Sequence, residues 1–192
     1  MRIPSNLENE NGDVHIVKQY QFNRYSVIEN GNYIHKKDLF SIVSVDSNRY
    51  KNCLKDKILI AEDALRLEAT YDNTKSICQG GIYFGTTIEE DYSIKYILAI
   101  LNSKFINALY ANLFSGMHMG GGYLRFRSSF LYELPFVHSA KQDILINLVN
   151  QILLAKQSNP QFDSSGLEKE IDQLVYQLYG LTEEEIKIVE NA

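Results

Sequence analysis

Residues 92–114 carry the longest apolar pattern of the chain. Apolar side chains recur there every three or four positions, and a second apolar set lies on another face of the same helix. The first set is Ile94, Ile97, Leu98, Leu101, Phe105, Ala108, Leu109 and Leu113, and the second is Ile100, Ile106, Tyr110 and Phe114. Lys95, Asn102 and Lys104 are among the polar residues that interrupt the run, so it is too polar to span a membrane. We therefore predict a long helix that is covered on both faces by the core.

The residues before this helix predict short strands joined by irregular connections. Residues 1–13 are rich in polar side chains and predict a flexible lead-in. Runs with strand character follow at 14–20, 25–28, 40–45, 58–60, 65–70, 76–78 and 82–84. Asn, Asp, Ser and Gly residues mark turns at 29–32, 46–48 and 71–74. Just before the helix, Asp91 or Ser93 can cap its free amides.

The helix is followed by a glycine segment, residues 115–122. Three consecutive glycines, Gly120, Gly121 and Gly122, have a large ordering cost, so the backbone there needs positive φ or a close approach to another group. One interpretation is that exposed amides bind a phosphate, with Arg125 and Arg127 beside them. The other is a tight turn that returns the chain as an edge strand. Both interpretations are compatible with the sequence.

Residues 123–127 alternate between two kinds of side chain. Tyr123, Arg125 and Arg127 share one face of a strand, while the apolar Leu124 and Phe126 share the other. This alternation predicts two guanidinium groups side by side on the surface, with the apolar pair turned into the core.

The remaining sequence is helical. An apolar stripe lies between Lys141 and Lys156, and capping boxes are predicted at Ser165–Glu168 and at Thr182–Glu185, with Gly180 ending the helix between them. We predict one lobe over residues 1–138, of which 1–13 are flexible, and a C-terminal helical segment over 139–192.

Charge is unevenly distributed along the chain. The net charge is -5, yet residues 18–57 and 92–158 are each basic, whereas 58–91 and the tail from residue 159 are acidic. A local basic patch, not the net charge, governs a phosphate contact. Each basic patch can equally be an ordinary solvated surface.

Basic side chains and tyrosines are interleaved in residues 18–57. They are Lys18, Tyr20, Arg24, Tyr25, Tyr33, His35, Lys36, Lys37, Arg49, Tyr50, Lys51, Lys55 and Lys57. On strands and loops, such residues suit a surface that holds phosphates and presents side chains to base edges. Tyrosine-rich edges also occur in β proteins that bind no nucleic acid, so this region alone does not decide between the two.

Three motifs, taken in their order and spacing, resemble the TaqI-like C-terminal specificity domain. They are Tyr96-Ile-Leu-Ala-Ile-Leu-Asn-Ser-Lys104, Gly120-Gly-Gly-Tyr-Leu-Arg-Phe126 and Leu134-Pro-Phe136, and residues 170–186 resemble the end of many such enzymes. The resemblance implies recognition of a double-stranded DNA target for a modification methyltransferase or a type IIG restriction enzyme. The catalytic domain, in cis or in trans, would be the second partner.

The resemblance also implies an α+β fold, in which an irregular twisted β-sheet surrounds the long buried helix and a helical bundle segment follows. We expect phosphate contacts from Lys36, Lys37, Lys104, Arg125 and Arg127, with Gly121 and Gly122 beside them, and base reading from Tyr33, His35, Arg49 and Lys51. One departure is that Glu62 and Asp63 follow the strand at 58–60, where family members often carry basic residues. These acids indicate that this edge faces away from DNA or has lost that role.

The sequence carries no recognisable catalytic constellation. The three prolines are not adjacent, so the Asn/Asp-Pro-Pro-aromatic loop of an amino methyltransferase is missing, and residues 80–85 lack the Lys-Ser/Thr of a phosphate loop. The four histidines are too far apart to suggest a zinc site. We therefore expect a non-catalytic domain without a cofactor or metal.

Two cysteines, Cys53 and Cys78, fit a reducing compartment, although one bridge between them is open. With no apolar segment for export near residue 1, we expect a cytoplasmic protein. Two rival functions are a protein-docking module that uses the helical tail and an enzyme of unrecognised type with a pocket near His118.

Overall fold

The computed structural model describes residues 3–28, 31–86, 92–140 and 142–192, with Ser115 described in its backbone only. The strands are short. They are β1 Val14–Val17, β2 Phe22–Asn23, β3 Ser26–Val27, β4 Tyr33–Ile34, β5 Lys57–Ala61, β6 Asp63–Ala64, β7 Ala69–Asp72, β8 Ile77–Cys78, β9 Ile82–Gly85 and β10 Leu124–Arg125.

Among the described residues, two short helices lie in the first half of the chain, and helices make up most of the second half. They are α1 Lys36–Ile42, α2 Asn48–Cys53, α3 Ile94–Asn102, α4 Lys104–Leu113, α5 Ser128–Leu131, α6 Gln142–Ser158, α7 Ser165–Tyr179 and α8 Glu183–Glu190. Single 3-10 turns lie at Ser5–Leu7, Ser115–Met117 and Gly120–Gly122. The predicted α+β class is confirmed.

Several small sheets replace one continuous sheet. β5 lies at the centre of an antiparallel sheet between β7 and β9, and all five of its residues are buried. In a second sheet β1 pairs antiparallel with β4 and parallel with β8. β2 pairs with β3, and β10 pairs with β6. The chain therefore reaches its surface through many strand ends, where side chains are available for binding.

The predicted long helix is divided in two at Ser103. Ser103 has extended backbone angles, φ -67° and ψ 152°, and its hydroxyl accepts a hydrogen bond from Ile106 N (3.3 Å) while donating one to Ile100 O (2.7 Å). A serine in this geometry caps a new helix, so a single residue separates the end of α3 from the start of α4. The prediction of a single helix was therefore wrong, although both halves are buried as expected. At the start of α3, Ser93 is the capping residue, and the alternative cap Asp91 lies outside the described residues.

The C-terminal helices cover the central pair. Leu145, Val149 and Ile152 of α6 and Ile171 and Val175 of α7 belong to the same hydrophobic cluster as α3, α4 and β5. Burial of these apolar side chains on both faces of α3 and α4 is the main stabilising contribution at this junction. The boundary predicted at residue 138, between the lobe and the helical segment, stays a prediction. The hydrophobic cluster contains residues from both sides of this boundary.

A second, smaller cluster supports the basic half of the lobe. It contains Ile16, Ile34, Leu39, Cys53 and Ile77, and also Ile3 from the segment predicted as a flexible lead-in. The prediction of a strand at 40–45 was wrong, because α1 extends to Ile42. Leu39 in the helix and Val43 at its end, four residues apart, pack in this cluster. That spacing is helical, and the alternating Phe40 and Ile42 are exposed instead.

Turn and cap signals in the helical tail were partly correct. Thr182 and Glu185 form the predicted capping box, and Gly180 ends α7 with φ 67°. The box predicted at Ser165–Glu168 was wrong by one residue, because Ser164 precedes the helix and its hydroxyl donates to Glu168 Oε1 (2.6 Å).

Cys53 and Cys78 are buried free thiols, and burial raises the pKa of Cys78 to about 12. Within the described part of the chain, every helix is too short or too polar to span a lipid bilayer.

Candidate nucleic-acid interface

Two arginines lie on the surface at and just after strand β10: Arg125 is in the strand, and Arg127 precedes α5. Leu124 and Phe126 are buried, whereas Tyr123, Arg125 and Arg127 are partly or fully exposed. β10 pairs antiparallel with β6, so that Leu124 lies opposite Ala64 and Arg125 lies opposite Asp63. The neighbouring Phe126 N donates to Glu62 O (2.7 Å). The alternation predicted from the sequence therefore describes this strand, and one of its faces carries guanidinium groups.

Tyr110 of α4 fixes the backbone between the two arginines. Its hydroxyl donates to Arg125 O (2.8 Å) and accepts from Arg127 N (3.1 Å). The ring is buried against Phe114 and Phe126, with centroid distances of 4.9 Å and 4.7 Å. Since a core side chain holds both peptide groups, the two arginines leave the strand from fixed points.

The two arginines have different surroundings. Arg125 Nε donates to Asp63 Oδ1 (2.9 Å) and Nη2 donates to Asp63 Oδ2 (3.4 Å). This hydrogen bond and the negative charge of Asp63 raise the pKa of Arg125 above its ordinary value. Arg127 is exposed and forms no ion pair with any residue that the structure describes. The surface thus presents one guanidinium held by a carboxylate, on β10, and one exposed guanidinium just after the strand that has no ion pair among the described residues.

A glycine turn leads into this strand. Gly121 and Gly122 have φ values of 77° and 81°, and Met119 N donates to Tyr123 O (2.7 Å) across the turn. An added Cβ would meet only ordinary contacts, Tyr123 Cδ2 at 3.7 Å and Leu65 Cδ2 at 3.8 Å. The positive φ values therefore account for these two glycines without crowding. Gly120, Gly121 and Gly122 are all exposed.

A second group of candidate residues surrounds the start of α1. The rings of Tyr33 and His15 are tilted against each other, with centroids 5.2 Å apart, and His35 precedes the helix. Asp13 Oδ2 accepts from Lys36 N (3.1 Å) and lies 3.6 Å from His35 Nδ1. The hydrogen bond from Lys36 N lowers the pKa of Asp13. Lys36 and Lys37 are exposed on the first turn.

Arg49 and Lys51 form a third group on α2, where the sequence had predicted no helix. The Arg49 guanidinium lies 5.4 Å from the ring centroid of Phe84 in β9, and Lys51 Nζ lies 3.9 Å from Asp46 Oδ1. Both residues are exposed. The expected placement on strands and loops was wrong for four of the basic residues, since Lys36, Lys37, Arg49 and Lys51 all lie on short helices.

Lys104 lies apart from the other candidates. Its backbone N donates to Asp172 Oδ1 (2.8 Å), and its ammonium group pairs with Glu190 of α8. The adjoining residues of the Asn-Ser-Lys motif are structural as well, because Ser103 caps α4 and Asn102 binds the backbone of Ala69. A phosphate contact by Lys104 stays a prediction, and it requires the bond to Glu190 to open.

Sequence reasoning missed two residues of this surface, Asp63 and Tyr110. Asp63 was interpreted as an acid out of place, whereas it is the partner of Arg125. Tyr110 was assigned only to an apolar helix face. Its position 15 residues before Arg125 gives no local signal of contact, although a buried tyrosine hydroxyl usually has a hydrogen-bond partner.

In the part of the chain that the structure describes, no group of three or more His, Cys, Asp or Glu side chains is placed to hold a metal ion.

Comparison with solved structures finds a similar fold in part of a much larger protein. A type IIL restriction-modification enzyme, MmeI, solved in complex with DNA, matches 70% of this chain with a TM-score of 0.52 and 19% identity. The chain spans 20% of the length of that enzyme. No curated protein matches the chain.

The sequence identifies the family. The model of the TaqI-like C-terminal specificity domain matches residues 16–136, which is more than half of the chain. The chain therefore belongs to the TaqI-like C-terminal specificity domain family, as its motifs indicated.

Proposed function

We propose that this chain recognises a specific double-stranded DNA sequence for a restriction-modification methyltransferase or endonuclease. Its membership of a specificity-domain family supports the proposal, as does its structural similarity to part of a restriction-modification enzyme solved with DNA. The observation that carries it is the surface at β10, where Tyr110 holds the backbone of Arg125 and Arg127 and both arginines lie beside an exposed glycine turn.

In this proposal the domain positions DNA and does no chemistry itself. Arg127, Lys36 and Lys37 are exposed cations suited to phosphates, which fix the register of the protein on the duplex. Tyr33, His35, Arg49 and Lys51 supply candidate contacts to base edges. A catalytic domain, in cis or in trans, would then receive the target base after it leaves the stack. The restriction-modification role implies action in the cytoplasm.

The acidic tail suits a different surface. α8 begins with Glu183, Glu184 and Glu185, and it packs beside α4. Since anionic helices are repelled by phosphate, we propose that this side faces away from DNA, a placement that is incompatible with the phosphate contact predicted for Lys104.

The proposal is tested by retention of randomised duplex DNA on the full chain at about 50 mM and about 200 mM salt, followed by sequencing of the retained pool. We expect a short common motif and an affinity that falls steeply with salt. Arg127→Ala should weaken binding to all sequences and reduce the salt slope by about 1. The matched control is Lys187→Ala, which removes one exposed cation from α8 and should leave binding unchanged.

A protein-docking module is the alternative function. A groove between α4 and α8 favours it, because apolar side chains that include Phe105, Leu109, Leu181 and Ile188 line this groove. If the chain retains no DNA even at about 50 mM salt, where electrostatic binding is strong, DNA recognition is rejected and docking is favoured.

A further inference from the structure

We propose that Arg125 reads a guanine and that Asp63 is the residue that orients it for this role. The inference rests on the proposed function, because it concerns how the same surface selects its target. It separates two arginines that the sequence alone treats as equivalent phosphate contacts.

The Asp63 carboxylate occupies only one edge of the Arg125 guanidinium. A guanidinium has five N–H donors, and Asp63 takes one on Nε and one on Nη2. Both hydrogens of Nη1 and the second hydrogen of Nη2 remain for another partner. These donors form the fork at the tip of the side chain, which matches the O6 and N7 acceptors of guanine in the major groove.

The ion pair between Asp63 and Arg125 is held in place by the pairing of β6 with β10. Asp63 lies directly opposite Arg125 in the β6–β10 register, and the flanking Glu62 O accepts from Phe126 N (2.7 Å). Tyr110 fixes the peptide group of Arg125 from the core side. Both ends of the ion pair therefore start from fixed backbone. The Arg125 side chain is 39% exposed, so it remains accessible while its torsional freedom is restricted.

The same carboxylate makes Arg125 a poor phosphate contact. A phosphate that approaches Arg125 also meets Asp63, and the two anions repel each other. A base edge carries no net charge, so a guanine meets the directed donors without that repulsion. Arg127, two residues later and just beyond the end of β10, lacks such a partner among the described residues and suits a phosphate. The two arginines thus form a matched pair for experiment.

The test compares selected DNA pools for the wild-type chain and for Arg125→Ala, Arg125→Lys, Asp63→Asn and Arg127→Ala, each at two salt concentrations. We expect the wild-type motif to contain a G·C pair that Arg125→Ala and Arg125→Lys no longer select, with discrimination at that pair falling about tenfold to a hundredfold. Lysine keeps the charge but not the fork, so it should retain affinity for unrelated sequences.

Asp63→Asn gives the decisive result. We expect weaker discrimination at the same pair together with tighter binding to unrelated sequences, because the variant removes a negative charge from the surface. Arg127→Ala should keep the motif and bind all sequences more weakly. Thermal unfolding monitored by circular dichroism shows whether each variant is folded, and Asp63→Asn preserves the size of the side chain.

Two results would overturn the inference while leaving the proposed function intact. One is an unchanged motif in both Arg125 variants. The other is Asp63→Asn with tighter binding to every sequence and undiminished discrimination, which would make Asp63 a competitor for phosphate. If the wild-type chain selects no motif at all, the proposed function fails first and the inference fails with it.

Discussion

The ammonium nitrogen of Lys57 lies 2.6 Å from Oδ2 of Asp72, and both side chains are completely buried. Lys57 Nζ also donates to Cys53 O (2.9 Å), while the carboxylate accepts hydrogen bonds from Thr74 and Ser76. This network joins β5, the central strand, to α2 and to the turn after β7. It therefore connects the smaller hydrophobic cluster, to which Cys53 of α2 belongs, to the sheet that is centred on β5.

Removal of one member of this pair should be strongly destabilising. We expect Lys57→Met to lower the free energy of unfolding by about 3–5 kcal/mol at pH 7, because Asp72 is left as an uncompensated buried charge. Urea denaturation measures the change. The double variant Lys57→Met/Asp72→Leu removes both charges and should recover most of the loss. Equal losses in the single and double variants would show that packing, not charge, is responsible.

The pH dependence of this pair has a defined sign. Burial tends to raise the pKa of Asp72, but Lys57 and the hydrogen bonds outweigh burial and lower it below the ordinary value. The stability that Asp72 contributes is thus present above pH 3.8 and lost as the pH falls through its lower folded-state pKa. In Lys57→Met only burial and the hydrogen bonds remain, so we expect its deficit to shrink between pH 7 and pH 4.

Asp172 should show the opposite behaviour. Burial raises the pKa of this carboxyl, and the backbone bond from Lys104 compensates only in part. The folded state then favours the protonated acid, and this contribution is present below pH 3.8 and lost as the pH rises through the higher folded-state pKa. Asp172→Asn keeps an acceptor for Lys104 N without the charge. We expect it to gain about 0.5–2 kcal/mol at pH 7, the usual range for a stabilising substitution.

Denaturation of the Asp172→Asn variant between pH 7 and pH 3 checks this sign, because its advantage should disappear in acid. Asp163 is the carboxyl to compare with Asp172, because its pKa is shifted in the opposite direction. Hydrogen bonds from Ser165 lower the pKa of this exposed carboxyl. An advantage of Asp172→Asn that persists at pH 3 would contradict the assignment to a buried charge.

The Asn102 side chain forms hydrogen bonds with the backbone of Ala69, as the backbone of a neighbouring strand would. Its Oδ1 accepts from Ala69 N (3.1 Å) and its Nδ2 donates to Ala69 O (3.0 Å), and the side chain is fully buried. Asn102→Leu keeps the volume but leaves Ala69 N without a partner, which should cost about 1–3 kcal/mol of unfolding free energy. The control is Asn112→Ala on α4, an exposed position whose change should stay within about 0.5 kcal/mol. Equal effects at the two positions would refute the role of Asn102.

The sequence predicted the long helices α6 and α7 and several strands, including β5 and β9, but it missed the short helices. α6 and α7 followed from apolar stripes longer than three turns, in which period alone separates helix from strand. α1 has seven residues, and its exposed Phe40 and Ile42 mimic strand alternation. The break at Ser103 was hidden because the apolar pattern continues across it, whereas the cap depends on the backbone angles of one residue.

The candidate site could be predicted only in part, because it is formed by contacts between distant parts of the chain. Arg125 and Arg127 were found from local alternation, which is a property of neighbouring residues. The partner of Arg125 lies 62 positions earlier, and it is brought into place only by the β6–β10 register. No period or motif in the sequence indicates that pairing, so Asp63 looked like a departure from the family pattern until the strands were placed together.

The glycine turn allows its two interpretations to be separated. Gly121→Ala and Gly122→Ala place a Cβ at positive φ and should each cost about 1–2 kcal/mol, whereas Gly120→Ala, at ordinary φ with open space around it, should cost less than either. Gly121→Asn should recover part of the stability, since Asn tolerates positive φ, but it keeps a side chain beside the exposed amides. If this folded variant binds DNA like the wild type, the glycine serves the turn alone. If it is stable and loses affinity for all sequences, close approach of a phosphate requires the glycine as well.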